Sequence, residues 1–148
     1  MSLKDQLSEE MKKAMKEKQQ LRLSVIRLAR AAIKNTEIDK KQELDDSGVI
    51  EVLAREVKQR RDSLEEYKKV NREDVVAELE KEISVLLEFM PEQMTEAEIR
   101  ELLSKVIAEV GAKTPKDIGK VMGKVAPHIK GKADGKQVNQ ILQQMLND

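Results

Sequence analysis

Apolar residues recur along this chain at spacings of three and four, the period of an α-helix with one buried face. Leu3, Leu7, Met11, Ala14 and Met15 share such a face, behind a helix-start capping pair of Ser2 and Asp5. A polar break at Lys18 to Gln20 ends or bends this first helix. A second places Leu21, Val25, Leu28, Ala29, Ala32 and Ile33 inward, and the polar run from Thr36 to Asp46 closes it. Asp46 or Ser47 then caps a third helix with Ile50, Leu53, Val57, Leu64 and Tyr67 on its stripe. A fourth runs from about Arg72, burying Val76, Leu79, Ile83, Leu86, Leu87 and Met90. Folded back about Val70-Asn71, the third and fourth predict a long helical hairpin. The pairs Glu51/Arg55, Glu56/Arg60 and Glu65/Lys69 lie at i,i+4 on its solvent side, each worth about 0.2–0.5 kcal/mol.

Pro91 interrupts the pattern, because proline blocks helix continuation and biases Met90 away from helical backbone. A linker over Glu92 to Met94 follows, dividing the chain into an N-terminal domain of residues 1–91 and a C-terminal domain of residues 95–148. Three shorter helices are predicted beyond it. Thr95-x-x-Glu98 is a capping box ahead of Ile99, Leu102, Leu103, Val106, Ile107 and Val110, with Gly111 as the stop. Thr114, Pro115 and Asp117 supply a cap, a first-turn proline and an N-terminal acid before Ile118, Val121, Met122 and Val125, and Pro127 closes that helix. Asp134-x-x-Gln137 opens the last, with Val138, Ile141, Leu142 and Met145 inward. The expectation is an all-α protein: about four helices first, then a small three-helix domain whose core is marginal by itself.

Composition agrees with helices packed on aliphatic side chains. Charged residues make up 38% and aromatics 1% of the 148 positions, so the alternation that builds strands is missing. There is no cysteine, which excludes disulfides and thiolate chemistry and is compatible with a reducing compartment. The N-terminus lacks the apolar core of a secretory signal and carries too many acids for a transit peptide. The longest apolar stretch, Ile83 to Met90, falls far short of the roughly 20 residues that span a bilayer. A soluble cytoplasmic protein without membrane contact is expected. The net charge of zero hides an uneven distribution: a surplus of four positives in residues 1–44, of eight negatives in 45–99 and of four positives in 100–148.

Little of this points to catalysis. The only histidine, His128, follows Pro127 near a helix end and has no visible Ser/Asp partners. Without a second histidine or a cysteine, no metal site is expected, and no cofactor motif is present. The chemistry lies instead in glycine and lysine. Four of the six glycines stand directly before a lysine: Gly119-Lys120, Gly123-Lys124, Gly131-Lys132 and Gly135-Lys136. This is not the phosphate loop of nucleotide hydrolases, since Gly119 and Gly123 are too close together and Val125 follows Lys124 where Ser or Thr is needed. Gly119 and Gly123 fall within one helix, where each costs about 0.8–1 kcal/mol against alanine. Either a neighbouring helix packs closely there, or the glycines form a bare ridge against which a nucleic-acid backbone can rest. Gly131 and Gly135 suit the turn before the last helix, where Lys130, Lys132 and Lys136 gather around its N-terminus. Seven lysines from Lys113 to Lys136 face only Asp117 and Asp134, with no aromatic side chain among them. Contact through phosphates and 2′-hydroxyls of a folded RNA is therefore expected rather than base stacking.

From Ile118 to Leu146 the sequence resembles the YqeY family, whose tail module is shared with the B subunit of the tRNA-dependent amidotransferase. The residues that carry this are Gly-Lys-Val-Met-Gly-Lys-Val at 119–125 and Lys-Gly-Lys-Ala-Asp-Gly-Lys-Gln-Val-Asn-Gln-Ile-Leu at 130–142. Ala14 to Lys16, the Leu-Arg pattern of Leu21 to Arg30 and Phe89-Met90-Pro91 extend the likeness to nearly the whole chain. The resemblance implies a tail that helps hold a tRNA body while chemistry occurs elsewhere. It also brings the label of a carbon–nitrogen ligase with glutamine as amido donor, although no counterpart of the ATP-dependent cradle or the glutaminase is visible.

Three functions are consistent with these features. The first is a non-catalytic tRNA-associated binding protein or accessory factor, with RNA contacts at Lys120, Lys124, Lys130, Lys132, Lys136, Gly119, Gly123, Gly131 and Gly135 and a tRNA synthetase or amidotransferase subunit as possible protein partner. The second is an amidotransferase-related component active only with partner subunits. The third is a protein–protein adaptor that uses the acidic hairpin from Glu51 to Glu88.

Overall fold

Ser2 opens the first helix by accepting the Asp5 N–H on its hydroxyl at 3.1 Å. In the computed structural model, which describes residues 1–147, this helix is α1, Leu3–Lys16. It stops where Lys18 turns left-handed, at φ 57°. Leu7 and Ala14 are fully buried, whereas Met15, expected inward, is 48% exposed because it sits one step around from that face. Helix α2, Gln20–Lys40, runs through part of the polar stretch that was expected to close it and ends at Lys41, φ 54°. Its last turns are held by Glu37, whose carboxylate accepts the Lys4 ammonium at 2.7 Å and the Leu44 N–H at 2.8 Å. Because α2 packs against three helices, its buried arc takes in Leu23 and Ile26 and leaves the expected core residue Leu28 54% exposed.

Asp45 caps α3, Asp46–Lys69, by accepting the Gly48 N–H at 2.9 Å. The neighbouring Asp46 carboxylate is used elsewhere, accepting the Leu3 N–H at 2.9 Å, so the cap falls one residue earlier than the sequence pattern indicated. A Cβ at Gly48 would lie 2.9 Å from Leu44 Cδ2, so the Leu44 side chain would have to shift to admit one. Asn71, at φ 57°, turns the chain into α4, Glu73–Leu87, which lies along α3 as the expected hairpin. Arg60 fastens it, with Nε 3.1 Å from Glu82 and Nη1 3.3 Å from Glu56. Lys69 pairs with Glu66 at 3.3 Å rather than with Glu65, and Tyr67 is 39% exposed rather than inward. Leu7, Ile26, Val49, Leu53 and Leu86 make the dry centre of this first compact unit, Met1–Met90.

A second compact unit begins at Pro91. Its first helix, α5 (Glu96–Val110), carries the full capping box: Thr95 Oγ1 accepts the Glu98 N–H at 3.2 Å and Glu98 accepts the Thr95 N–H at 3.0 Å. Gly111 ends it at φ 69°. A 3₁₀ turn, Pro115–Asp117, leads into α6, Ile118–Ile129, and α7 spans Gly135–Asn147. Pro127 lies inside α6 instead of closing it. Proline's fixed φ is helical and only the bond to the Gly123 carbonyl is lost, while burial of Ile129 keeps the final turn in place. Ile99, Leu103, Val121, Val125, Val138 and Leu142 fill the centre of this unit. The stretch read as a linker is tied to the same unit. Gln93 Nε2 donates to the Gly131 carbonyl at 2.8 Å, and the Met94 N–H donates to the Lys132 carbonyl at 2.8 Å. The described residues form seven α-helices and no strand, an all-α fold.

The Lys4–Glu37 pair sets a pH dependence. The Lys4 ammonium, then the Leu44 N–H, hold the Glu37 carboxyl below its ordinary value of 4.5, and Glu37 raises Lys4 above 10.5. A carboxyl depressed on folding contributes stability above its unfolded pKa and loses it as pH falls through the folded one; the raised lysine loses its share only at alkaline pH. Glu37→Gln should therefore lower Tm at pH 7, with the gap from the parent closing as pH falls below about 4. Thermal melts at pH 7 and pH 3 check this. A gap that stays constant would mean that the carboxylate charge contributes nothing.

Candidate nucleic-acid interface

Helix α6 divides sharply into two faces. Val121 and Val125 are fully buried, Ile129 nearly so, and Ile118 and Met122 flank them. At 100° per residue, Gly119, Gly123, Pro127 and Lys120 fall on the opposite side, with Ala126 on one flank and Lys124 on the other. All six are exposed. A Cβ built on Gly119 or Gly123 meets nothing within 4 Å. Close packing of a neighbouring helix, one of the two explanations open from the sequence, does not account for these glycines.

The other pairs occupy the turn between α6 and α7. Gly131 is buried at φ 73°, and its carbonyl receives the Gln93 side chain, so backbone geometry by itself favours glycine there. Lys130 and Lys132 flank it and are exposed. Gly135, with open space where a Cβ would be, is the first residue of α7, followed by exposed Lys136. Both acids of the region are engaged with backbone. Asp117 Oδ2 accepts the Lys113 N–H at 2.9 Å and the Thr114 N–H at 3.3 Å, which hold its carboxyl below the ordinary range, with Lys120 adding to the effect. Asp134 Oδ1 accepts the Lys136 N–H at 3.1 Å. The lysines thus stand on one helix face and one adjoining turn of a single small unit.

His128 is exposed in the last turn of α6. A cleft of about 440 Å³ in the first unit has carboxylates on its wall, but Arg22 bridges two of them, Glu88 at 2.6 Å and Glu10 at 2.9 Å. Arg22 thus ties α1, α2 and the end of α4 together through these two carboxylates. The sequence reading missed the clamp of Gln93 and Met94 on the turn, since nothing in a polar linker signals backbone bonds to a loop 38 residues away.

The family described as "Yqey-like protein" matches residues 4–146, from the second residue of α1 to the last turn of α7. The chain belongs to the YqeY family. Among curated YqeY-like relatives are fungal proteins named "Altered inheritance of mitochondria protein 41, mitochondrial". That of Lachancea thermotolerans is 36% identical over 74% of this chain and 60% of its own length. That of Kluyveromyces lactis is 42% identical over 54% and 44%, and that of Pyrenophora tritici-repentis 30% identical over 95% and 78%. The chain therefore spans less than two thirds of the first two relatives. Those names place the fungal proteins in mitochondria. Among the described residues of this chain, no helix is long and apolar enough to cross a membrane.

Proposed function

We propose that this YqeY-family protein is a non-catalytic tRNA-associated accessory factor whose second unit rests on the RNA sugar–phosphate backbone. One observation carries the reading. Gly119 and Gly123 stand exposed on α6 with nothing against them, beside Lys120 and Lys124, although each glycine weakens the helix. A destabilising residue that packing does not require is explained by an outside partner that must come close to the backbone, and lysines at its flank suit phosphate. The likeness of this stretch to the amidotransferase tail makes tRNA the RNA of choice. We place the protein in the cytoplasm, or in the mitochondrion that its fungal relatives' names give for them; both hold tRNA. The test is binding of the purified chain to a tRNA transcript across a salt series. Affinity should fall linearly on a log–log plot as salt rises, and absence of binding at low salt would end the reading.

The non-catalytic half of the proposal has its own test. The sequence has no cysteine nucleophile, and Glu10 and Glu88 in the cleft of the first unit are bridged by Arg22. The single chain should give no glutaminase turnover and no amidation of Glu-tRNA or Asp-tRNA in a radiolabelled assay. Turnover would replace this reading with that of an amidotransferase component.

A further inference from the structure

We infer that the first unit carries a phosphate-binding surface of its own, a groove lined by Lys4, Arg27, Arg30 and Lys34 that takes the backbone of the same RNA. The inference rests on the RNA-binding reading above but uses different residues. The groove holds about 370 Å³ and has a surplus of three positive charges, since Glu37 is the one acid on its wall. That acid is already engaged, by Lys4 and by the Leu44 N–H. Arg27, Arg30 and Lys34 are exposed, and among the described residues none of them is paired to a carboxylate within 4 Å; Arg30 donates to Met11 Sδ at 3.0 Å. Elsewhere in the unit the arginines that tie helices together are bridged to carboxylates, Arg22 to Glu10 and Glu88, Arg60 to Glu56 and Glu82. The groove arginines are not bridged in this way among the described residues.

Their placement selects the ligand. Positions 27, 30 and 34 lie on one face of α2 and rise by about 10 Å along it, a row of cations suited to a run of anions rather than to one. Two of the three are arginines, whose planar forks match phosphate oxygens two at a time. An acidic protein segment would need apolar anchors as well as charge. Of the apolar side chains that line the groove, Leu7 and Ile33 are 0% and 3% exposed, used by the protein's own core, and only the small Ala31 is exposed. The regular row of cations on α2 fits a polyanion whose charges are themselves regularly spaced.

The test uses the whole chain and a tRNA transcript. Arg27→Glu, Arg30→Glu and Lys34→Glu are combined in one variant, and the same three positions are changed to Gln in a second. All three side chains are exposed, so helix content and Tm should stay close to the parent's in the glutamine variant. Each lost phosphate contact removes about 0.9 from the salt slope, so the slope should fall by about two to three, with affinity near 0.1 M salt down by tenfold or more. The variants are run beside one in which the five tail lysines are reversed. If the groove variants match the parent while the tail variant loses binding, the groove inference fails and the tail reading stands. The reverse result removes the tail reading and keeps the groove. A poly-glutamate peptide is the third probe: groove variants that lose this peptide but keep tRNA would make the groove a site for acidic protein and overturn the inference.

Discussion

Reversing Lys120, Lys124, Lys130, Lys132 and Lys136 together to glutamate should abolish tRNA binding while helix content stays unchanged. All five side chains are exposed, so the core of Val121, Val125, Val138 and Leu142 is untouched by the change. If each meets a phosphate, the salt slope carries about 0.9 per contact and the five together account for about four to five units of it. Single changes to alanine should each weaken binding modestly and lower the slope by about one or less, without altering preference among RNA sequences, as phosphate contacts do. Filter binding or fluorescence anisotropy across a salt series, with circular dichroism on the same samples, reads both quantities. A five-lysine variant that binds like the parent would remove the tail as an RNA surface and move the acidic-hairpin adaptor to first place.

The second large effect separates stability from binding. Gly119→Ala with Gly123→Ala should stabilise α6, because each replaces glycine inside a helix where a Cβ has open space around it. The gain is about 0.8–1 kcal/mol per site, enough to raise the melting transition of the second unit by on the order of ten degrees for the pair. The same variant should bind tRNA more weakly, since two methyl groups now stand where the RNA backbone approaches. Gly123→Leu should weaken binding further yet leave the unit folded, because nothing lies within 4 Å for the longer side chain to strike at its root. Calorimetry of the whole chain, with amide exchange at Val121 and Val125 to assign the transition, reads the first part; the salt-series assay reads the second. A stabler variant that binds tRNA as before would show that the bare ridge is not a contact. A less stable one would show that the glycines serve the fold.

Much of this protein is set by interactions between near neighbours in sequence, and those were legible without a structure. Ser2 and Thr95 cap helices because a hydroxyl reaches an N–H three residues on, and Gly111 ends one because it turns left-handed without strain. The hairpin of α3 and α4 follows from two apolar stripes and a short turn, and the Gly-Lys pairs mark α6 and the turn after it before any coordinate is known. Helices are local objects, so their existence, type and approximate ends come from the sequence.

What the sequence left open depended on which elements meet. Leu28 and Tyr67 have the right residue type and spacing for a core, but α2 and α3 bury arcs turned away from them, since burial is decided by the neighbours a helix acquires. Pro127 stays within α6 because Ile129 finds a place in the core, a gain that the local rule for proline does not include. Close helix packing at Gly119 and Gly123 could be set aside only when the space beside them was seen to be empty. Gln93 reaches Gly131, and Lys4 reaches Glu37 beside Arg27, Arg30 and Lys34, across intervals of tens of residues. Capping and periodicity act within about a turn, so sequence determined the helices and the chemistry each one carries. Proximity between distant positions is created by packing, so only the tertiary structure decided which of those side chains share a surface.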